Sequence, residues 1–345
     1  MELLHRLLLG ARSEGFEKIE GLPAPRFRRA RDGMKKWAPL IWIPILGLAA
    51  WVLADRLQNI DFREVKQQLL AQPPRTVLLG MLLSAGVYAL VGFYEGIAVR
   101  MASGRKMFAT AFRTAVIANP IGRAIGLALV SGGALRYRMY APAGLSAREV
   151  TTVVVLAAMP YFFSVGWLID LSLLLNAETA ANALRLSTGV VLTLGAVGLA
   201  KDIGWLVFVV RRKQPLVVRG QALPVPTVRD TSLQLAVGLV QISLMTGILY
   251  LFMPEELGMS WPAFIAIYCI AFVAGQLSNV PAGLGVLEAA LLLMLPQVPP
   301  GKLLAAVLAY RAVYEILPLL LALGLLLMFE STSANGVVRR LLLRR

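Results

Sequence analysis

Apolar runs long enough to cross a lipid bilayer recur along this chain from Trp37 to its end. The hydrocarbon core of a bilayer is crossed by a helix of about 20 apolar residues, and each backbone polar group inside it needs a partner within the protein. Hydrophobic residues make up 58% of the sequence, well above the share in a globular domain. The sequence therefore predicts an all-α polytopic membrane protein over residues 38–330, with about eight transmembrane helices plus re-entrant or broken helices.

The distribution of charge predicts the orientation of these helices. The net charge is +15, and the cations cluster in the terminal segments 1–37 and 331–345 and in the loop 211–229. Basic loops stay on the cytoplasmic side of a bacterial membrane, so both tails and this loop are expected there. No nucleic-acid-binding module is recognisable in the sequence. Anionic lipid headgroups are the expected partners of the basic surface, and nucleic acid is not.

The sequence contains few cysteine and histidine side chains that could act as nucleophiles, general bases or metal ligands. The chain has one cysteine, Cys269, and one histidine, His5. An intrachain disulfide is therefore excluded, and neither a Ser-His-Asp nor a Cys-His arrangement can be built around a histidine inside the membrane. We expect no catalytic residue, no metal site and no cofactor.

The apolar segment 108–132 is long enough to cross the membrane but is interrupted by Pro120, Gly122 and charged residues. If it crossed completely, the basic loop 211–229 would lie outside, against the positive-inside rule. A re-entrant helical hairpin with its tip at Asn119 and Pro120 removes this conflict. Such irregular backbone is tolerated at membrane depth only where protein or a water-filled cavity surrounds it.

A second interruption, at Asn279, Pro281, Gly283 and Gly285, breaks the apolar region 264–297. Interrupted helices in corresponding halves of a sequence indicate a binding site near the membrane midplane of a transporter, together with an internal inverted repeat. In the first half, the adjacent Gly132 and Gly133 would let a headgroup approach the backbone, since glycine has no Cβ.

Charged and phenolic side chains near these interruptions are candidates for binding a lipid headgroup, because an ionised group inside a bilayer is costly without a ligand or a partner. Guanidinium groups bind phosphate oxygens, and carboxylates would balance a headgroup amine. The candidates are Arg123, Arg136, Tyr137, Arg138, Tyr140, Glu288, Tyr310, Arg311, Tyr314 and Glu315.

Other interpretations of these residues stay open at the level of sequence. Arg136 and Arg138 also fit two cytoplasmic cations near lipid headgroups. Arg311 and Glu315 are four residues apart and would pair with each other on one helix face. Glu288 would be stabilised by the N-terminus of its own helix.

Four further ionisable residues have weaker interpretations. Glu95 and Asp170 are expected to anchor helices at the membrane interface. Lys201 and Asp202 interrupt an apolar helix, and adjacent residues point in different directions on a helix. The sequence gives no account of that pair.

Three motifs in order resemble the N-terminal flippase region of the multiple peptide resistance factors, the bacterial lysyl-phosphatidylglycerol synthases. They are G-G-x-x-R-Y-R-x-Y at 132–140, V-P-x-G-L-G-V-x-E-A at 280–289 and Y-R-x-x-Y at 310–314. The resemblance covers roughly residues 76–328. It implies a flippase in the bacterial inner (plasma) membrane that moves lysyl-phosphatidylglycerol to the outer leaflet and gives resistance to cationic antimicrobial peptides.

The resemblance also implies partners and roles for the matched positions. The partners would be the phospholipid substrate, a lysyl-phosphatidylglycerol synthase domain and a second copy of the chain. The matched positions are Arg136, Tyr137, Arg138, Tyr140, Pro281, Gly283, Gly285, Glu288, Arg311 and Tyr314.

The sequence departs from the family pattern at several points. Ser-His pairs that often precede the two interruptions in the family are replaced by Ala118-Asn119 and Ser278-Asn279, and Ala282 stands where glycine is frequent. The aminoacyl transferase domain is absent from this sequence, so we expect a transporter and not an enzyme. Transport of another anionic lipid such as a polyprenyl phosphate, the membrane part of a lysyltransferase, an enzyme acting on a headgroup and a non-transporting partner module remain as alternatives.

Overall fold

The structure is a computed structural model that describes residues 62–125, 128–211, 216–218, 221–223, 228–278 and 280–332. The predicted tails and the first part of the predicted membrane domain, residues 38–61, lie outside these residues. The described residues up to Ala322 belong to one compact unit, and residues 323–332 belong to a second.

The described chain is helical apart from one short β-hairpin. In the first half, the helices are α1 (Phe62–Leu70), α2 (Pro74–Ser103), α3 (Phe108–Ile125), α4 (Ala128–Tyr140), α5 (Ala147–Leu175), α6 (Ala177–Leu184) and α7 (Thr188–Arg211). The hairpin strands are β1 (Leu216–Val218) and β2 (Gln221–Leu223). The second half contains α8 (Val228–Phe252), α9 (Trp261–Leu277), α10 (Val286–Met294), α11 (Pro300–Arg311) and α12 (Leu317–Thr332), with a π-helical turn, Ala312–Ile316, joining α11 to α12.

Five of the described helical segments are long and apolar enough to cross a membrane, which confirms the prediction of an all-α membrane fold. They are α2, α5, α7, α8 and the continuous segment Pro300–Phe329. The broken region expected at 264–297 contains the short helices α9 and α10, which pack against each other as a hairpin. The loop expected at 211–229 contains the antiparallel strands β1 and β2.

Helices α3 and α4 form the first helical hairpin and pack against each other. The guanidinium of Arg105, just before α3, donates to the carbonyl oxygens of Ala143 and Gly144, each at 3.2 Å, just after α4. Both ends of this hairpin therefore lie at the same end of the bundle, here called the Arg105 end.

The predicted tip of this hairpin, at Asn119 and Pro120, is wrong. Both residues lie inside α3, which continues to Ile125. Gly132 and Gly133 likewise lie inside α4, which continues past the expected end at Gly132 to Tyr140. A proline removes one backbone hydrogen bond from a helix, and close packing against neighbouring helices offsets this loss.

The glycines of the first hairpin serve helix packing. A Cβ atom placed on Gly132 would lie 3.6 Å from the Ala118 carbonyl oxygen and 4.0 Å from the Cα of Gly122. Helices α3 and α4 therefore approach each other closely at this point, which small residues allow in membrane bundles.

Helices α9 and α10 form the second hairpin, which enters from the other end of the bundle. An ion pair of 2.5 Å between Arg100 and Asp230 places the start of α8 at the Arg105 end, and α8 then runs about 37 Å to the opposite end. There Lys302 pairs with Glu256 and lowers the pKa of that carboxyl. Because Glu256 precedes α9 and Lys302 follows α10, both ends of the second hairpin lie at this Glu256 end.

The two halves of the described chain thus repeat one order of elements in opposite directions. In each half a long helix is followed by a helical hairpin and then by another long helix: α2, α3–α4 and α5, and then α8, α9–α10 and α11–α12. This order is the one that the predicted inverted repeat requires. The segment Pro281–Gly283 at the tip of the second hairpin packs against α3, so the two hairpins meet inside the bundle.

The tip of the second hairpin depends on Gly283, which has a positive φ of 62°. A Cβ atom at this position would lie 3.1 Å from the Cα of Gly275 and 3.3 Å from its carbonyl carbon. Backbone cannot move away as easily as a side chain, so the contact between α9 and the tip requires glycine.

We expect Gly283→Ala to destabilise the protein by about 2 kcal/mol or more, because a left-handed conformation costs a non-glycine residue 1–2 kcal/mol before any clash. The measurement is the thermal unfolding midpoint of the purified protein in detergent. Gly204→Ala is the matched control, since nothing lies within 4 Å of a Cβ placed on this helical glycine. An unfolding midpoint of Gly283→Ala at or above that of the control would contradict the assigned tip geometry.

Candidate functional site

Arg311, at the end of α11, is the centre of a buried charge network. Its Nε and Nη2 atoms donate to the two carboxylate oxygens of Glu288 at 2.6 and 3.1 Å. Its Nη1 atom donates to Glu315 at 2.6 Å and to the carbonyl oxygen of Ala282 at 3.0 Å. The predicted pairing of Arg311 with Glu315 is confirmed. Glu288, in contrast, is already paired and is not free to receive an ammonium group.

Arg123, in the last turn of α3, extends this network to the first hairpin. Its Nη2 atom lies 3.2 Å from the second carboxylate oxygen of Glu315. Its Nη1 atom donates to the hydroxyl of Tyr314 at 2.8 Å, and its guanidinium carbon lies 4.7 Å from the centre of the Tyr314 ring. Two arginines and two glutamates therefore alternate from Glu288 to Arg123 with no net charge, as buried ionised groups require.

The sequence around Glu288 explains how the second hairpin contributes to the network. Glu288 lies in the first turn of α10, where its Oε2 atom accepts a hydrogen bond of 2.9 Å from the backbone N–H of Gly285. An anion at a helix N-terminus is favoured by the helix dipole. Ala282 has a positive φ of 52°, and this left-handed turn directs its carbonyl oxygen to Arg311. The interruptions predicted at Pro281, Gly283 and Gly285 are therefore confirmed, and Asn279 lies outside the described residues.

A proline shapes the helix that carries Arg311 and Glu315. Pro318 has no N–H group, so the carbonyl of Tyr314 loses its usual helical donor. The hydroxyl of Tyr88, on α2, donates to this carbonyl oxygen at 3.3 Å. The turn just before Pro318 is π-helical, a form found frequently at functional sites. Tyr88 was not among the residues predicted from the sequence, because its contact depends on a residue more than 200 positions away.

A small cleft opens beside the network, at the point where the two hairpins meet. It is lined by Arg123, Phe272, Gly275, Gln276, Ala282, Gly283, Leu287 and Glu315. Arg123 and Glu315 are its charged lining residues, and Gln276 adds an exposed amide. Gln276 was missed by the sequence analysis, although a polar side chain near the end of the apolar α9 was a usable signal.

Arg136 belongs to a second buried ion pair and does not join the cleft. Its Nε and Nη2 atoms donate to the two carboxylate oxygens of Glu95 at 2.8 and 2.7 Å, and the hydroxyl of Tyr140 donates to the same carboxylate at 3.1 Å. Glu95 is completely buried. Its interpretation as an interface anchor is therefore wrong, as is that of Arg136 as a surface cation.

Each of the other predicted residues lies in one of these two sites or on the surface. Tyr310 lies behind the network, where its hydroxyl is 2.7 Å from that of Tyr268. Tyr137 is exposed on α4, and Arg138 is half-buried on the same helix. The structure thus brings together Arg123, Glu288, Tyr310, Arg311, Tyr314 and Glu315, and holds Arg136 and Tyr140 with Glu95.

The fold and the buried charges are those of an integral membrane protein, and comparison with known proteins agrees. The chain is 26% identical over 322 residues to the inner membrane protein YbhN of Escherichia coli K12, which covers 90% of this chain and 95% of that protein. It is also 28% identical over 265 residues to the uncharacterized protein slr0712 of Synechocystis sp., with 76% and 80% covered. No protein-family model matches the chain. Neither relative is named as a flippase or a synthase, so the resemblance to the resistance factors stays a prediction.

We expect Glu95→Gln and Arg136→Met each to destabilise the protein by about 3–5 kcal/mol, because each leaves one buried charge without its partner. The double variant should recover much of that loss, since no charge remains buried. A double-mutant cycle on unfolding in detergent measures both effects.

Lys302→Met is the control for this cycle, because it breaks the partly exposed pair with Glu256 and should cost about 1 kcal/mol or less. If the double variant were less stable than both single variants, the destabilisation would not come from the unpaired charges.

Proposed function

We propose that this protein is a multi-pass transporter of the bacterial inner membrane that moves a phospholipid with an amine-bearing headgroup, of the lysyl-phosphatidylglycerol type, from the inner to the outer leaflet. The observation that carries the proposal is the cleft where the tips of two opposed helical hairpins meet, with Arg123 and Glu315 in its lining. The name of the E. coli relative supports the inner membrane. The basic loop 211–229 supports a cytoplasmic Arg105 end.

The two charged lining residues match the two charges of such a headgroup. A phosphate would bind the guanidinium of Arg123, and an amine would bind the carboxylate of Glu315. The contact between Arg123 and Glu315, at 3.2 Å, is longer than the 2.6 Å contact between Glu315 and Arg311. A headgroup that replaces the longer contact leaves Glu315 held by Arg311, and every buried charge keeps a partner.

The size of the cleft indicates how the rest of the lipid would be accommodated. The cleft in this conformation is too small for two acyl chains, and a headgroup would enter it as the hairpins separate. Leu277, Leu284 and Ile316 each directly follow a lining residue, and each is more than half exposed. In a membrane such side chains contact lipid, so the acyl chains would stay in the bilayer while the headgroup passes through the protein.

The opposed hairpins provide a route for alternating access. The first hairpin enters from the Arg105 end and the second from the Glu256 end, so each hairpin covers the cleft from one side of the membrane. Movement of one hairpin at a time would open the cleft to one leaflet while the other stays closed. The Arg136–Glu95 pair joins the first hairpin to α2 in this scheme and does not bind the headgroup.

The proposal includes no covalent chemistry, and on it the protein acts as a transporter. Its partners would be a synthase domain that makes the aminoacylated lipid and a second copy of the chain. A more positive outer leaflet would attract cationic antimicrobial peptides less strongly, which gives the proposed resistance a physical cause.

We expect Arg123→Ala to slow the movement of fluorescent lysyl-phosphatidylglycerol between leaflets of proteoliposomes by about tenfold or more, because a hydrogen bond to a charged group contributes about 1.5–3 kcal/mol. Glu315→Gln should slow the aminoacylated lipid more than plain phosphatidylglycerol. Arg100→Ala is the control, since it removes an arginine from an ion pair outside the cleft.

Equal rates for Arg123→Ala and Arg100→Ala, with both variants folded, would reject the proposed site. Equal movement of both lipids by the unmodified chain would indicate another headgroup, and competition by a polyprenyl phosphate would then identify that class. No movement of any lipid would leave the partner-module alternative.

A further inference from the structure

Two aspartates face each other between α5 and α7, away from the cleft. Asp170 on α5 is 7% exposed and Asp202 on α7 is completely buried. Asp202 lies near the middle of α7, one of the helices long enough to cross the membrane. The side chain of Asp170 is buried against α7 and not exposed as an interface anchor would be. Both aspartates lie on helices long and apolar enough to cross a membrane, where an ionised group needs a specific reason.

Glycines on the facing helix make room for each carboxyl. A Cβ atom placed on Gly198 would lie 2.1 Å from Oδ1 of Asp170, and one placed on Gly166 would lie 3.2 Å from Oδ2 of Asp202. On each helix the aspartate follows its glycine by four residues, so the arrangement is reciprocal. The sequence therefore builds a small enclosed space for two carboxyls.

Three of the four oxygens of these carboxyls are buried without a hydrogen-bond donor among the described residues. Oδ2 of Asp170 and both carboxylate oxygens of Asp202 have no hydrogen-bond partner among the described residues. The ammonium of Lys201 lies 2.7 Å from Oδ1 of Asp202, at ion-pair distance but without hydrogen-bond geometry, and its side chain is 62% exposed. Adjacency along α7 thus does not prevent the contact between Lys201 and Asp202.

One proton would satisfy both the hydrogen bonding and the charge of this group. Within the described part of the chain, the charged groups that act on Asp170 are Asp202 and Lys201. With both carboxyls ionised the three groups carry a net charge of −1, and a single proton makes the sum zero. The carboxyl that takes up the proton becomes a hydrogen-bond donor to its neighbour, and two facing carboxyls in one site do not both ionise readily.

We propose that Asp170 and Asp202 form an exchangeable proton-binding site within the membrane, holding one proton between the two carboxyls. The proton binds a carboxylate oxygen of one aspartate, the resulting O–H group donates to the other, and release returns the proton to water. The site shares no residue with the cleft, so the two proposals can be tested independently of each other. Its occupancy would change the charge between α5 and α7, which gives the protein a means to respond to a proton gradient.

The test is labelling of the full chain in proteoliposomes with dicyclohexylcarbodiimide, which adds to a protonated carboxyl in apolar surroundings to give an N-acylurea. Peptide mapping by mass spectrometry identifies the labelled residue across a range of pH. We expect label on Asp170 or Asp202 that decreases as pH rises, because the ionised pair does not react.

Lys201→Met removes the nearby cation that favours the ionised form, so its labelling should persist to higher pH than that of the unmodified chain. Such a shift would not follow from a purely structural role. Absence of label on both aspartates at every pH would overturn the proposal. Constant labelling across the pH range, in both the unmodified chain and Lys201→Met, would also overturn it, since it would show a proton that does not exchange.

Discussion

The bridge from Arg311 to Glu288 and Glu315 is the interaction on which the central architecture depends. It joins the tip of the second hairpin to the long helix α11–α12, and through Glu315 it reaches Arg123 on the first hairpin. A buried ion pair adds little stability compared with well-packed apolar residues, but removal of one partner leaves a charge that the membrane interior does not solvate. The network therefore acts mainly by specifying one arrangement of three elements, since other arrangements separate its charges.

In the described residues, a buried ion pair joins each helical hairpin to a long helix. Glu95 lies on the long helix α2 and pairs with Arg136 on the second helix of the first hairpin. Arg311 lies on the long helix α11 and pairs with Glu288 on the second helix of the second hairpin. Each hairpin is thus fixed to a long helix by a guanidinium–carboxylate contact, the first hairpin to the long helix that precedes it and the second to the long helix that follows it. The second network alone extends to the cleft, which gives the two hairpins different roles.

Local features of the fold were predictable from the sequence, and distant contacts were not. The break at Pro281, Gly283 and Gly285 and the pairing of Arg311 with Glu315 both depend on residues close together in the chain, where backbone conformation and helix spacing determine the result. The pairing of Glu95 with Arg136 joins residues 41 positions apart, and hydropathy gives no information about which intramembrane charges meet. The tip placed at Asn119 and Pro120 was wrong because a proline interrupts a helix only when packing does not hold it together.

The hydroxyl of Tyr88 on the Tyr314 carbonyl restricts how the helix bearing Arg311 and Glu315 can slide. That carbonyl has lost its helical donor to Pro318, and the surrounding core is apolar and aromatic. Any displacement that breaks this contact removes a hydrogen-bond donor from a backbone oxygen away from water, at a cost of about 0.5–1.5 kcal/mol until a new donor arrives. The hydroxyl of Tyr88 thus favours those positions of the helix in which it meets a backbone carbonyl, and disfavours the positions between them.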